Sequence, residues 1–205
     1  MTPIRTTRAA RVTETEISRS GRPSCAHLAL VAISLLGAVA CGGSGHRPFA
    51  WVTPRPVPKG WSVVQVLTGA QLAYPPGWAK THGDPGTATA ALIGARGRYL
   101  GYLNVTPRQG AEKLAGWASF RVSHNAEEGD RDVKRLAAGT GLRFLNGTGS
   151  CVEDSYTTSI GTRYTEIACI VKGPSTTSVI VGATPPGSWT RISPVLERAI
   201  AAFRA

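Results

Sequence analysis

Two runs rich in Thr, Tyr, Ile and Val, Cys151 to Thr158 and Arg163 to Val171, enclose the short segment Ser159-Ile160-Gly161-Thr162. β-Branched and aromatic residues on both sides of a turn predict one antiparallel hairpin. In such a hairpin the numbers of directly opposed residues have a constant sum. A turn centred near residue 160 sets that sum at about 320, which Cys151 and Cys169 satisfy. Opposed residues at a non-hydrogen-bonded pair have Cα atoms ~4.5 Å apart, within reach of a disulfide. The spacing therefore predicts a Cys151–Cys169 bond, with two free buried thiols as the alternative. The bond would persist in an oxidising compartment and contribute roughly 3 kcal/mol by closing a loop of this length. A zinc site needs about four ligands and finds no local His pair.

The remaining cysteines bear on the compartment. Ala26 to Ala40 carries no Asp, Glu, Lys or Arg. It falls short of the ~20 apolar residues that span a bilayer and suits the core of a secretory signal. Arg5, Arg8, Arg11, Arg19 and Arg22 precede it against Glu14 and Glu16, and Gly37-Ala38-Val39-Ala40 leads into Cys41. This resembles the bacterial lipobox, with Ala38 where Leu is commonest. The resemblance implies a signal peptide over 1–40, cleavage before Cys41 and a diacylglyceryl group on its sulfur. It also implies a protein lipid-anchored on the extracytoplasmic face of the cell membrane. An ordinary signal cut after Ala40 is the alternative. The absence of an Arg-Arg pair before the apolar run favours general secretion over twin-arginine export. Cys25 leaves with the signal, so Cys151 and Cys169 are left to pair.

The net charge is +11, from 23 basic and 12 acidic residues. With the five arginines and two glutamates of the leader removed, 18 basic and 10 acidic residues remain. The basic residues are scattered and form no Lys/Arg block, so nucleic acid is not an expected partner; the scatter reads first as a compositional habit, with an anionic lipid surface as the alternative for a tethered chain. Residues 41–60 read as a linker, opening with Gly42-Gly43-Ser44-Gly45 and continuing through Pro48, Pro54, Pro56 and Pro58. At ~3.1 Å per residue it would hold a domain on the order of 50 Å from the membrane. Phe49 and Trp51 within it suit either the lipid interface or docking onto the domain.

The globular domain is expected over 61–205. Strands are predicted at 62–67, 71–74, 88–93, 99–106 and 176–184, the fourth either buried on both faces or bulged at Gly101, with weaker strands at 133–137 and 142–145 on either side of Gly139-Thr140-Gly141. Glu112 to Glu127 reads as a helix closed by Gly129, with Leu114, Trp117 and Arg121 on one stripe and Trp117, Phe120 and His124 on the next. A second helix is expected to open at Ser193 as N-cap, with Pro194 first and Leu196, Ala199, Ile200 and Phe203 facing the sheet.

The element Leu72, Tyr74, Pro75, Pro76, Gly77, Trp78 and the ending Val179 to Pro185, followed by a helix closing on Ile200-Ala201-Ala202-Phe203, resemble the PsbP/Mog1-like family. Actinobacterial lipoproteins of the LpqN type are its tethered members. The resemblance spans about residues 61–205 and implies an α+β fold, an antiparallel β-sheet covered by helices in an α/β/α sandwich. It further implies a domain that binds proteins or small ligands without catalysis, and it transfers no catalytic residue.

Motifs for chemistry are few. The chain has no Gly-x-Ser-x-Gly elbow, phosphate loop, His-Glu-x-x-His or dinucleotide fingerprint. His46 falls in the linker and His82 in a loop, and His124 with Glu128 reads as a surface pair one turn apart. Glu153 and Asp154 are adjacent on a strand, so they point to opposite faces and do not share a substrate. Trp78, Trp117 and Trp189 suit a core better than a cleft. No cofactor or metal site is expected, and no ligand-binding residue is identified. The expected function is a non-enzymatic envelope module binding a protein, lipid or glycan. The alternative is a secreted hydrolase whose site assembles only in the fold, signalled by a Ser or Asp within reach of His82 or His124.

Overall fold

β-Branched runs and helical stripes build nine strands and two helices in the computed structural model, which describes residues 48–205. The strands are β1 (Ser62–Gln65), β2 (Gln71–Tyr74), β3 (Ala79–Thr81), β4 (Ala88–Ile93), β5 (Tyr99–Pro107), β6 (Arg131–Phe144), β7 (Gly147–Thr157), β8 (Arg163–Lys172) and β9 (Thr177–Thr184). The helices are α1 (Trp117–Glu127) and α2 (Trp189–Ala201). β3 to β9 form one antiparallel sheet in the order β3-β4-β5-β9-β8-β7-β6. The connection through α1 carries the chain from the middle of the sheet to its far edge, and β7, β8 and β9 then fold back to meet β5. β1 and β2 form a separate hairpin, tied to the end of the chain by the bridge between Gln71 and Arg204.

The expected α+β class is therefore observed, and strand alternation gives the sheet two buried faces. On one face Leu103, Ile167, Cys169 and Ile180 meet Leu196 and Phe203, with Leu72 of β2 beside them. Gly182 lets α2 approach closely, because a Cβ there would stand 3.2 Å from Leu196 Cβ and Leu103 Cδ2. On the other face Val152, Ala168, Ile170, Val179 and Val181 pack under Trp117 of α1. The β7–β8 register pairs Cys151 with Cys169, and the two are disulfide-bonded with Cα atoms 4.1 Å apart.

Several boundaries differ from expectation. Phe49 and Val52 are buried in the α2-face core and Arg55 N–H donates to Ala201 O at 3.0 Å, so residues 49–60 belong to the folded unit. The described residues 48–205 lie in one compact unit. The boundary expected at Trp61 thus moves toward the N-terminus, because apolar side chains spaced among prolines gain more by docking than by staying in water. α1 begins at Trp117 rather than Glu112: the Glu112 carboxylate accepts from the N–H groups of Gln109 and Gly110, and Gly116 adopts φ 78° ahead of the first helical residue. α2 begins at Trp189, a turn before the expected cap. Ile192 extends the apolar stripe backward into the core, Ser193 is buried, and Pro194 sits inside the helix at the cost of one hydrogen bond. The two weak strands around Gly139-Thr140-Gly141 are one strand, β6, whose register shifts at three places. Of the two readings of β5, the bulge is the one observed, beside Gly101, where Leu92 pairs with Gly101 and Ile93 with Tyr99.

Candidate functional site

α1 lies across the sheet so as to leave a cleft of about 450 Å³ against β3, β4, β5 and β9. The helix contributes Trp117, Phe120, Arg121 and His124 to one wall, and Glu128 follows at its C-cap. Their spacing places three rings in a ladder. Trp117 and Phe120 stack with centroids 5.8 Å apart and planes 22° from parallel, and Phe120 and His124 follow at 5.6 Å and 14°. Trp117 is fixed at the base of the ladder by its indole N–H, which donates to Ala168 O at 2.9 Å. The opposite wall is polar: Thr89, Tyr102, Asn104 and Thr106 project from alternate positions of β4 and β5. Asn104 Nδ2 donates to Thr89 Oγ1 at 2.8 Å, which holds that amide in place.

The floor of the cleft continues into a buried polar chain. Arg121 Nε and a terminal guanidinium nitrogen donate to the two oxygens of Glu166 at 2.7 and 3.0 Å, a bidentate pair. Tyr156 O–H donates to Glu166 Oε2 at 3.1 Å, and the Tyr102 hydroxyl lies 3.2 Å from that of Tyr156. Burial and the Glu166 carboxylate push both phenols well above their ordinary range, so both keep their protons. Burial alone would lower Arg121, but Glu166 outweighs it and holds the guanidinium charged. Asp154, opposite Glu166 across the β7–β8 ladder, is fully buried with neither oxygen hydrogen-bonded. Burial first, and the Glu166 charge second, push its carboxyl up to about 8.

Residues singled out in the sequence distribute as follows. His82 and His124 both line the cleft, as does Asp84, which the sequence did not single out. His124 Nε2 is 3.2 Å from Glu128 Oε1, both side chains being largely exposed, so the expected surface pair forms at the rim. Among the described residues no Ser or Cys lines the cleft, and no group of three or more His, Cys, Asp or Glu is arranged to hold a metal ion. Glu153 and Asp154 face opposite sides of β7. Trp78 and Trp189 pack against the α2-face core, whereas Trp117 serves both the core and the cleft. Cys41 and His46 lie outside the described residues. The Arg121–Glu166–Tyr156–Tyr102 chain was not anticipated. Its signal was a charged residue on the apolar stripe of α1 and a carboxylate within the apolar run of β8.

No protein-family model matches the sequence, and no curated protein matches it. Solved structures do. The solution structure of cyanobacterial PsbP (CyanoP) from Synechocystis sp. PCC 6803 aligns at a TM-score of 0.54 and 12% identity, over 71% of this chain and 92% of that one. A Pseudomonas aeruginosa protein of unknown function aligns at 0.40 and 11%, over 71% and 96%. LpqN of Mycobacterium tuberculosis, described as involved in cell envelope biogenesis, aligns at 0.37 and 11%, over 70% and 88%. The first of these shows a shared fold, and the domain is PsbP-like.

Proposed function

We propose that this protein is a cell-envelope lipoprotein, anchored through Cys41, whose PsbP-like domain binds a ligand in the α1 cleft without catalysis. The carrying observation is the cleft itself. A ring ladder forms one wall and hydrogen-bonding groups form the other, while among the described residues no hydrogen bond joins His82 or His124 to a Ser, Thr or Asp. Such a lining suits a polar ligand with an apolar face, as a glycan has, better than an acyl chain, because hydroxyl, amide and carboxylate groups outnumber apolar ones. The disulfide supports an extracytoplasmic site, since such bonds persist in oxidising compartments. Among the described residues no helix is long and apolar enough to cross a membrane, and membrane attachment in this reading rests on Cys41.

Two measurements test the proposal. Titration of envelope glycans against the protein, followed by the fluorescence of its tryptophans, should give saturable binding that Phe120→Ala weakens about tenfold by removing the middle ring. Equal binding by the variant would move the site elsewhere. In cells, Cys41→Ser should shift the protein from the membrane to the aqueous fraction; retention would refute the anchor and leave the cleft untouched.

A further inference from the structure

A second groove, of about 340 Å³, opens at one end of the sheet where the end of β5, the β8–β9 turn and the β1–β2 turn converge. It carries two cations, Arg108 and Lys172, and the hydroxyl residues Thr68, Ser175, Thr176 and Thr177, and no acidic side chain lines it. The ladder registers explain the arrangement. Lys172 stands directly opposite Thr177, and Arg108 N–H donates to Thr177 O at 2.9 Å from the other side. Three adjacent strands, spaced ~4.8 Å apart, therefore present cation, hydroxyl and cation in a row.

Among the described residues neither Arg108 nor Lys172 takes part in an ion pair. Glu112, whose charge Arg108 feels, is turned to the backbone N–H groups of Gln109 and Gly110. Ala205, which comes close to Gly173, is held by Asn146 and packs in the α2-face core. Thr68 lines the groove from the β1–β2 turn, and its hydroxyl is shielded from solvent with no hydrogen-bond partner. Next to it in the turn, Leu67 is 91% exposed.

We infer that this groove binds the phosphate group of an anionic ligand, either a free phosphate compound or a phospholipid headgroup. Arg108 and Lys172 supply charge-assisted hydrogen bonds from two sides, and the hydroxyls of Thr176 and Thr177 donate to the remaining oxygens. For a lipid, Leu67 would enter the acyl boundary beside the headgroup.

The test has two arms. In the first, inorganic phosphate is titrated into the intact protein in detergent at constant ionic strength, and amide shifts are followed by NMR. Saturable shifts confined to Arg108 and residues 172–177 are expected, with affinity weakened about tenfold in Arg108→Gln and again in Lys172→Gln. Both side chains are exposed, so the variants should melt with the wild type. Equal shifts from chloride, or undiminished binding in the double variant, would overturn the inference. In the second arm the double variant and wild type are sedimented with phosphatidylglycerol or phosphatidylcholine vesicles. Extra binding of wild type to the anionic vesicles, competed by phosphate and lost in the double variant, identifies a headgroup. Phosphate binding without that difference identifies a free phosphate compound, and absence of both refutes the site.

Discussion

Asp154 occupies the least favourable setting in the molecule for a charge. It is fully buried, faces Glu166, and has no hydrogen-bond donor on either oxygen. An ionised carboxylate in such a place costs far more than a neutral one, so the folded protein keeps Asp154 protonated up to about pH 8. The unfolded chain releases that proton near pH 3.8. Between these values the native state holds more protons than the unfolded one, and stability must fall as pH rises. The contribution is complete below about pH 4 and is lost through about pH 8, at up to about 1.4 kcal/mol per pH unit. Asp154→Asn mimics the neutral form and should flatten this dependence, raising the melting temperature most at pH 8 and hardly at pH 4. Parallel profiles of variant and wild type would show that Asp154 titrates normally. Asp130 is raised in the same direction by its own burial and by Glu128, so a shallow slope should remain in the variant. Glu166 poses the opposite problem, since it is buried and charged and depends on Arg121. Arg121→Met should cost about 3 kcal/mol by stranding that carboxylate, and Glu166→Gln added to it should recover much of the loss. Chemical denaturation of the two variants reads both outcomes.

At the scale of elements, the β7–β8 hairpin is where sequence and fold agree most closely. Its ten opposed pairs run from Thr148 with Lys172 to Thr157 with Arg163, and every pair has the numerical sum expected from a turn centred at residue 160. The ladder does not depend on the disulfide for its register, because a one-residue slip would turn Asp154 and Glu166 from the α1 side into the apolar α2-face core. Replacing Cys151 and Cys169 together by Ser should therefore cost roughly 3 kcal/mol in denaturation while leaving the far-ultraviolet spectrum and ladder unchanged. A shifted set of cross-strand contacts in the variant would show that the bond sets the register. β6 was not legible for a reason its neighbour illustrates. Gly139-Thr140-Gly141 has the composition of a turn, but a bulge uses the same residues, and only the partner strand distinguishes them. The Phe49 ring presses on Gly139, where a Cβ would stand 2.9 Å from it, and that contact joins positions ninety residues apart. The cleft was half legible for the same reason. The ring ladder follows from spacing along α1 alone, whereas its polar wall needs the pairing of β4 with β5 and β9.

For the molecule as a whole, the docking of residues 49–60 changes how the domain meets whatever holds it. An independent linker from Cys41 to Gly60 would allow separations on the order of 50 Å. With Phe49 seated in the core, eight peptide bonds lie between it and Cys41, a span of at most about 28 Å fully extended. A lipid-anchored chain would then keep its domain within about one domain diameter of the bilayer, with the Phe49 side nearest. The premise is open to measurement without any membrane. Phe49 is 5% exposed and meets Trp51 with ring centroids 5.9 Å apart, so its truncation opens a cavity in the α2-face core. Phe49→Ala should destabilise the fold by about 3 kcal/mol. The exposed neighbour Pro48, changed to Ala, should alter stability by no more than about 0.5 kcal/mol. If Phe49→Ala also falls within that small range, residues 49–60 act as a tether, and the longer separation from the membrane is restored.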